Sequence, residues 1–275
     1  MPTITEPAKL KAATAYNATS DHFDDEPLGF WKRYGERTVE RLALRPGARV
    51  LDVGCGTGAS ALPAAARVGP TGKVIGIDLA ERLLEIARHK AASRNLGNVA
   101  FHFGDMERLG YPDRHFDAVI CVFAIFFVPD MAKQLRELRR MVCPGGRLAI
   151  TTWGPRVLEP AASVFWSAVK ELRPDLYLGF NPWDRITEPA PLRALFAEAG
   201  IVDADIVAED GRQDLRSPED WWTIVIGSGF RSIVDQMGPE MAGRLREANL
   251  MQVRSQGSTS VETNVIYAVA RKTAV

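Results

Sequence analysis

Five short apolar runs along this chain, at residues 48–53, 73–77, 99–103, 116–122 and 147–152, each end at a polar or glycine-rich turn and alternate with segments of helical periodicity. The run at 116–122 is almost wholly apolar, as a strand covered on both faces must be. Between the runs, residues 60–68, 80–93 and 132–141 read as helices. In the second of these, Leu83, Leu84, Ala87 and Ala91 share one face, while Glu81, Arg82, Arg88 and Lys90 fall elsewhere, which suits a helix lying on a sheet. Arg45-Pro46-Gly47, Gly69-Pro70-Thr71-Gly72 and Pro144-Gly145-Gly146 mark the turns. Alternating strands and helices at this spacing predict an α/β fold, a doubly wound and mostly parallel sheet with right-handed crossovers. Ligands of such sheets bind at the carboxyl ends of the strands, beside the first strand.

Outside this stretch the pattern is less regular. Residues 1–10 read as a loose polar arm. Residues 11–44 read as helical, with Phe30, Trp31, Tyr34, Val39 and Leu42 at roughly helical spacing. After Trp153, helices are expected at 160–172 and 189–199, a strand at 204–208, helices at 218–235 and 238–255, and a last strand at 264–270. Ser217-Pro218-Glu219-Asp220 has the residues of a helix start. The expected organisation is an N-terminal helical lid segment (1–44), a ligand-binding core (45–153) and a C-terminal half (154–275). That last part completes the sheet and carries an inserted helical lid, so that 157–185 and 218–255 close over the site with the N-terminal helices.

Composition narrows the function classes. Hydrophobic residues make up 46% and charged residues 25% of 275 residues, as in an ordinary globular protein. Lys+Arg and Asp+Glu are both 34, and no basic stripe stands out, so nucleic acid is not expected as a partner. Cys55, Cys121 and Cys143 are scattered and read as buried thiols, not as a disulfide framework or a metal site. No apolar stretch approaches the ~20 residues of a membrane span, and the first residues lack an apolar leader. The expectations are a cytoplasmic protein with no metal, a small-molecule partner and at most a second copy of itself in a homodimer.

The chemistry concentrates in Leu51-Asp52-Val53-Gly54-Cys55-Gly56-Thr57-Gly58. A strand that ends in glycines and opens a helix brings bare backbone and a helix N-terminus against a ligand. Two cofactors compete for it. Gly54-x-Gly56-x-x-Ala59, with Asp78 twenty residues after Gly58, satisfies the dinucleotide fingerprint. The same residues also read D-x-G-x-G-x-G. Asp52 then puts an anion near the place of a dinucleotide pyrophosphate, which is unfavourable. S-adenosylmethionine, with a sulfonium, an ammonium and no phosphate, suits the loop better. Asp78, at the end of the second strand, can accept two ribose hydroxyls, or it caps the helix that follows. Asp105, after the third strand, can accept from an adenine amine, or it is an exposed turn acid. Cys121-Val122-Phe123-Ala124, after the fourth, offers an apolar wall.

Taken together, Leu51 to Gly58, Ile75-Gly76-Ile77-Asp78-Leu79, Gly104-Asp105-Met106, Phe116-Asp117-Ala118-Val119, Leu135-Arg136-Glu137-Leu138-Arg139-Arg140 and Cys143-Pro144-Gly145-Gly146 closely resemble the class I S-adenosylmethionine-dependent methyltransferases. They are most similar to the small-molecule branch that includes the ubiquinone/menaquinone-biosynthesis C-methyltransferases. The resemblance covers about residues 45–153. It implies a seven-stranded Rossmann-like sheet in the order 3-2-1-4-5-7-6 with the last strand antiparallel. By the same resemblance Gly54, Cys55, Gly56 and Thr57 back the methionine moiety, with Asp52 orienting the loop or meeting the ammonium. Asp78 with Leu79 holds the ribose, Gly104, Asp105 and Met106 flank adenine, and Val122 and Phe123 sit near the transferable methyl. Tyr16 reaches the cofactor carboxylate. S-adenosylhomocysteine is the product.

The acceptor is written only in aromatic residues. Phe123, Phe126 and Phe127, with two or three of Phe165, Trp166, Tyr177, Phe180, Trp183, Trp221, Trp222 and Phe230, are expected to line an apolar pocket. Phe127, Trp153, Trp183 and Trp222 are the candidate contacts. Val122-Phe123-Ala124-Ile125 stands where an N/D-P-P-Y/F motif would signal amino methylation of adenine. Nor is there a metal-binding acid there, as catechol methylation would need. Methyl transfer needs a base only if the acceptor must lose a proton. Of His22, His89, His102 and His115, only His22 lies in a segment that could fold over the site, as a base or as a plain surface histidine. The reading is C- or O-methylation of a small apolar or aromatic metabolite. The alternatives are N- or S-methylation, a NAD(P)-dependent oxidoreductase, and a protein that binds the cofactor without turnover.

Overall fold

The computed structural model describes residues 7–273. Strands β1 (Arg49–Val53), β2 (Lys73–Asp78), β3 (Val99–Phe103), β4 (Phe116–Val122) and β5 (Val142–Trp153) pair in parallel, β3-β2-β1-β4-β5 in space. Then come β6 (Asp205–Glu209), a two-stranded ribbon of β7 (Arg212–Asp214) and β8 (Ser260–Glu262), and β9 (Val265–Arg271). The seven-stranded sheet runs β3-β2-β1-β4-β5-β9-β6, with β9 antiparallel to both neighbours. This is the order that the family resemblance implies, and its switch point falls beside β1.

Alternation along each strand divides the core. Leu51, Val53, Val119, Cys121, Leu148 and Ile150 face one cluster, and Val50, Val74, Ala118, Ile120 and Ala149 face the other. Every one is buried, as a parallel sheet covered on both sides requires. Helices α1 (Pro7–Thr19), α2 (Phe30–Leu42), α3 (Ala61–Val68) and α4 (Glu81–Ser93) come from the first part of the chain. α5 (Met131–Met141), α6 (Ala161–Leu172), α7 (Pro189–Glu198), α8 (Pro218–Ile226) and α9 (Arg231–Ser255) follow. α3 and α4 cover the second cluster, α4 with Leu84, Ala87 and Ala91 of the face read from the sequence, while Leu83 packs with Phe23 and Ala80. Asp130 starts α5 by accepting from the Lys133 N–H at 2.8 Å, an N-cap of the expected kind.

Four places depart from the expected elements, one of them the β7–β8 ribbon, for which no strand is expected from the sequence. The helix over 11–44 breaks into α1 and α2 around a turn at 20–29, and residues 7–10 of the expected arm begin α1; residues 1–6 lie outside the described residues. The helix expected over 218–235 stops at Ile226. Gly227 there packs so closely that a Cβ would meet Leu28 Cδ1 at 2.8 Å and the His22 carbonyl at 2.9 Å. α9 then bends at Gly238, whose φ is 76°. The fifth strand is longer than 147–152, because Val142 already pairs with Phe116 of β4, a bulge follows before Ala118 pairs with Arg147, and the strand runs on to Trp153.

Buried polar bonds fix the added helices to the sheet. The Tyr34 hydroxyl donates to the Thr263 carbonyl at 2.6 Å, and the Thr38 and Thr151 hydroxyls meet at 2.7 Å. Trp221 Nε1 donates to Asn249 Oδ1 at 3.0 Å, joining α8 to α9. Such bonds are needed wherever a polar group leaves water. No helix among the described residues is long and apolar enough to cross a membrane.

Candidate active site

Two clefts meet at the carboxyl ends of β1, β2 and β4. The floor of the first is the glycine loop after β1. The Gly54 and Cys55 N–H groups donate to the Ile77 carbonyl at 2.8 and 3.1 Å, which folds the loop back over β2. A Cβ on Gly54 would meet the Ala124 Cβ at 2.3 Å, so only glycine lets the loop approach the β4 end. Gly56, with φ at 51°, turns its N–H to Asp78 Oδ2 at 2.8 Å. Asp78 Oδ1 accepts from the Ala80 N–H at 2.9 Å. A carboxylate has about four lone-pair sites, so two bonds to the backbone leave acceptor capacity facing the cleft. Burial holds the Asp78 carboxyl above its ordinary pKa, against the opposing pull of those N–H donors.

Asp52 lies underneath the loop. It is fully buried, accepts from the Ser60 hydroxyl at 2.6 Å, and leaves Oδ1 without a partner. Burial raises its pKa from 3.8 to about 7; the Ser60 bond opposes the rise and the Asp78 charge adds to it. A raised carboxyl contributes stability that is complete below the unfolded value near 4 and is lost as pH rises through the folded value near 7. Urea unfolding of the ligand-free protein should therefore show a loss between pH 5 and pH 8. Asp52→Asn should remove roughly 1–3 kcal/mol of that loss. An identical slope in the variant would show that Asp52 is not the group responsible.

The N-terminal segment roofs this cleft. Thr57 donates to Asp24 Oδ1 at 2.8 Å, and Lys90 Nζ reaches the same carboxylate at 2.9 Å. Arg82 pairs with Asp21 at 2.8 Å, and Lys9 with Asp105 at 2.8 Å. These links hold Tyr16 and Phe23 over the glycine loop. Burial, with the Asp78 charge, keeps the Tyr16 phenol above its ordinary pKa and so neutral.

Phe123 forms the shared wall. Its φ is 53°, a conformation that bulky residues adopt only when their surroundings enforce it. Its ring stacks on Trp153 at a centroid distance of 4.2 Å and meets Trp31 edge-on at 5.4 Å. Beyond it opens the second cleft, lined by Phe126, Phe127, Trp153, Trp166, Trp183 and Phe230 among others. The clefts share Ala12, Tyr16, Trp31, Phe123 and Phe127, and their free volumes are ≈ 940 and ≈ 1110 Å³.

Eleven residues expected at the cofactor line the first cleft: Tyr16, Gly54, Cys55, Gly56, Thr57, Asp78, Leu79, Gly104, Met106, Val122 and Phe123. Asp52 and Asp105 do not. Asp52 supports the loop from below through Ser60, which does line the cleft. Asp105 turns away to Lys9 and caps its own turn through the Glu107 N–H at 2.9 Å. Phe127, Trp153 and Trp183 line the second cleft, and Trp222 does not. Successive residues on a helix point about 100° apart, so with Trp221 turned to Asn249, Trp222 packs partly buried on another side. His22 lines neither cleft. Its Nδ1 meets Asp25 Oδ2 at 2.8 Å with the side chain about a third exposed (37%), so it is no base for this site. Sequence reasoning missed Trp31, whose helical spacing reads as plain core. It also missed Gln134, which donates to the Met106 carbonyl at 2.7 Å and fixes the turn beside the cleft.

S-adenosylmethionine fits the first cleft. Among the described residues no lysine, arginine or histidine lines it, and its one acid is Asp78. That donor set has nothing to neutralise a pyrophosphate, and it suits a cationic ligand with a ribose.

Comparison with known proteins agrees with this geometry. A family model described as "Methyltransferase domain" matches residues 44–182. An aklanonic acid methyltransferase of Streptomyces sp. (strain C5) is 37% identical over 144 residues; the match takes in 52% of this chain and 66% of that relative, just under two thirds of its length. The nocamycin O-methyltransferase of Saccharothrix syringae is 32% identical over 71% of this chain and 73% of its own. The demethylmenaquinone methyltransferase of Geobacillus kaustophilus (strain HTA426) is 30% identical over 70% and 88%. Among solved structures, the [4+2]-cyclase SpnF superposes with a TM-score of 0.55 at 25% identity, covering 89% of this chain and 81% of that one. The phosphoethanolamine N-methyltransferase 2 of Haemonchus contortus, in complex with S-adenosyl-L-methionine, superposes at 0.59 with 18% identity. That match covers all of this chain (100%) and 62% of the other, and shows a shared fold.

Proposed function

Since the chain belongs to the methyltransferase-domain family, we propose that it moves a methyl group from S-adenosylmethionine to carbon or oxygen of a small, largely apolar or aromatic metabolite. The observation that carries this reading is the junction of the two clefts at Phe123. A cationic ligand in the first, with its ribose on Asp78, would have its reactive end near Phe123 and Tyr16, where the aromatic cleft begins. The relatives named for aklanonic acid, nocamycin and demethylmenaquinone, small-molecule methyltransferases, support the same acceptor class. Neither they nor the cation-free cofactor cleft supports an oxidoreductase.

When bound, S-adenosylmethionine supplies a methyl group on a sulfonium that leaves as a neutral thioether. The chain's own contribution is placement and exclusion of water. The glycine loop and Asp78 fix the donor, Phe123 and Trp153 present the acceptor ring, and the roof of α1 closes the junction. Orientation and desolvation of this kind can carry much of the rate of a displacement. With S-adenosylmethionine labelled in its methyl group, label is expected to enter at least one member of a panel of phenols, naphthoquinols and aryl carboxylates, with stoichiometric S-adenosylhomocysteine. Label entering only small polar amines would overturn the apolar-acceptor reading. Cofactor binding with no S-adenosylhomocysteine from any acceptor would favour a binding protein without turnover.

A further inference from the structure

The second cleft carries a charge pattern that the methyl-transfer reading leaves unused. Among the described residues, its lining includes no histidine, aspartate or glutamate. Its polar members are Tyr16, Asn181, Ser228, Ser232 and the indoles, none of which accepts a proton near neutral pH. Asp78 belongs to the other cleft and is engaged by backbone N–H groups, while Asp52 is sealed beneath the loop. The one charged residue in the lining, among the described residues, is Lys11. It sits on the face of α1 that also presents Ala12, Ala15 and Tyr16 to the cleft, it is exposed, and among the described residues no ion pair or hydrogen bond engages it.

Resting on the methyl-transfer reading, we propose that the acceptor enters already ionised, as an aromatic carboxylate or acidic enol, and that Lys11 selects it by charge. A neutral hydroxyl acceptor must lose a proton, and the described residues of this cleft include no group to take it. An anion needs none. The lone pair of its oxygen or carbon forms the new bond to the methyl carbon while the carbon–sulfur bond breaks and its electron pair returns to sulfur. One negative and one positive charge vanish, and no proton is released. An apolar cleft strengthens the attraction between those charges and offers little solvation to either. A nearby cation also favours the ionised form of the acceptor. Lys11, at the rim, adds complementary charge without crowding the aromatic walls.

The test uses 2-naphthoate and the neutral 2-naphthamide as probes, by calorimetry on full-length enzyme loaded with sinefungin, whose amine carries a positive charge in place of the sulfonium. Wild type should prefer naphthoate on the order of tenfold, as a charge-assisted contact allows. The preference should be smaller when uncharged S-adenosylhomocysteine fills the first cleft. Lys11→Met should lose most of it while naphthamide affinity stays within about twofold, and Lys11→Arg should restore it. Equal binding of the two probes, no binding of either, or a preference that survives Lys11→Met overturns the proposal. Failure of sinefungin and S-adenosylhomocysteine to bind at all would instead be a failure of the methyl-transfer reading, and it is measured first.

Discussion

Gly56→Val should bind S-adenosylmethionine on the order of a thousandfold more weakly than wild type. Gly56 stands at φ 51°, where a β-branched residue costs roughly 1–2 kcal/mol or more. Its new side chain would project into the cofactor cleft, with Cβ already 3.6 Å from the Phe23 ring. Relieving the strain means rotating the peptide, and rotation withdraws the Gly56 N–H from Asp78 Oδ2, now 2.8 Å away. Each ~1.4 kcal/mol lost is a factor of ten in affinity, so backbone strain, a lost hydrogen bond and an obstructed floor together give the expected three decades. Gly56 belongs to neither of the two buried clusters that hold the open sheet, so a cooperative thermal transition should remain. Wild-type affinity in a folded Gly56→Val protein would show that the loop is not where the ligand lies.

Asp78→Asn should weaken binding about a hundredfold. Hydrogen bonds to a charged group contribute roughly 1.5–3 kcal/mol each; the amide retains one acceptor oxygen and presents N–H groups where the carboxylate accepted. One of the two backbone donors at Gly56 and Ala80 then faces another donor. The variant therefore loses ligand contacts and loop order at once. Calorimetry against S-adenosylhomocysteine separates this from any effect on the sulfonium, since the product lacks that charge. A change under threefold for both ligands would remove Asp78 from the ribose role.

The parallel half of the sheet was legible because each of its strands is a short apolar run closed by a turn, and each helix between them carries one clean face. Strands β3 and β4 begin and end at the residues expected. The lining of the first cleft was legible for the same reason: it follows directly on strand ends, so knowing the strands brings Gly54, Asp78, Met106 and Phe123 to that cleft. Asp105 was misplaced because its competitor, Lys9, is 96 residues away in sequence, and no local pattern records such an ion pair. Trp222 and His22 failed for a related reason. Which side of α8 faces the cleft, and which way the turn after α1 folds, are decided by packing against Asn249, Leu28 and Gly227 from other parts of the chain. Trp31 was passed over because an aromatic at helical spacing looks the same whether its ring meets core or cleft. The aromatic tally of the acceptor side came closer: of the eight C-terminal aromatics considered, Trp166, Trp183 and Phe230 line the cleft. Phe165 and Trp221 are core, and Tyr177 and Phe180 are exposed.

The most direct measurement is calorimetric titration of the purified protein with S-adenosylmethionine, S-adenosylhomocysteine and NADH, side by side and at one salt concentration. A cleft with Asp78 as its sole charged residue among the described residues predicts saturable micromolar binding of the first two and none of NADH. Binding of NADH, with no heat from either sulfur ligand, would contradict the account.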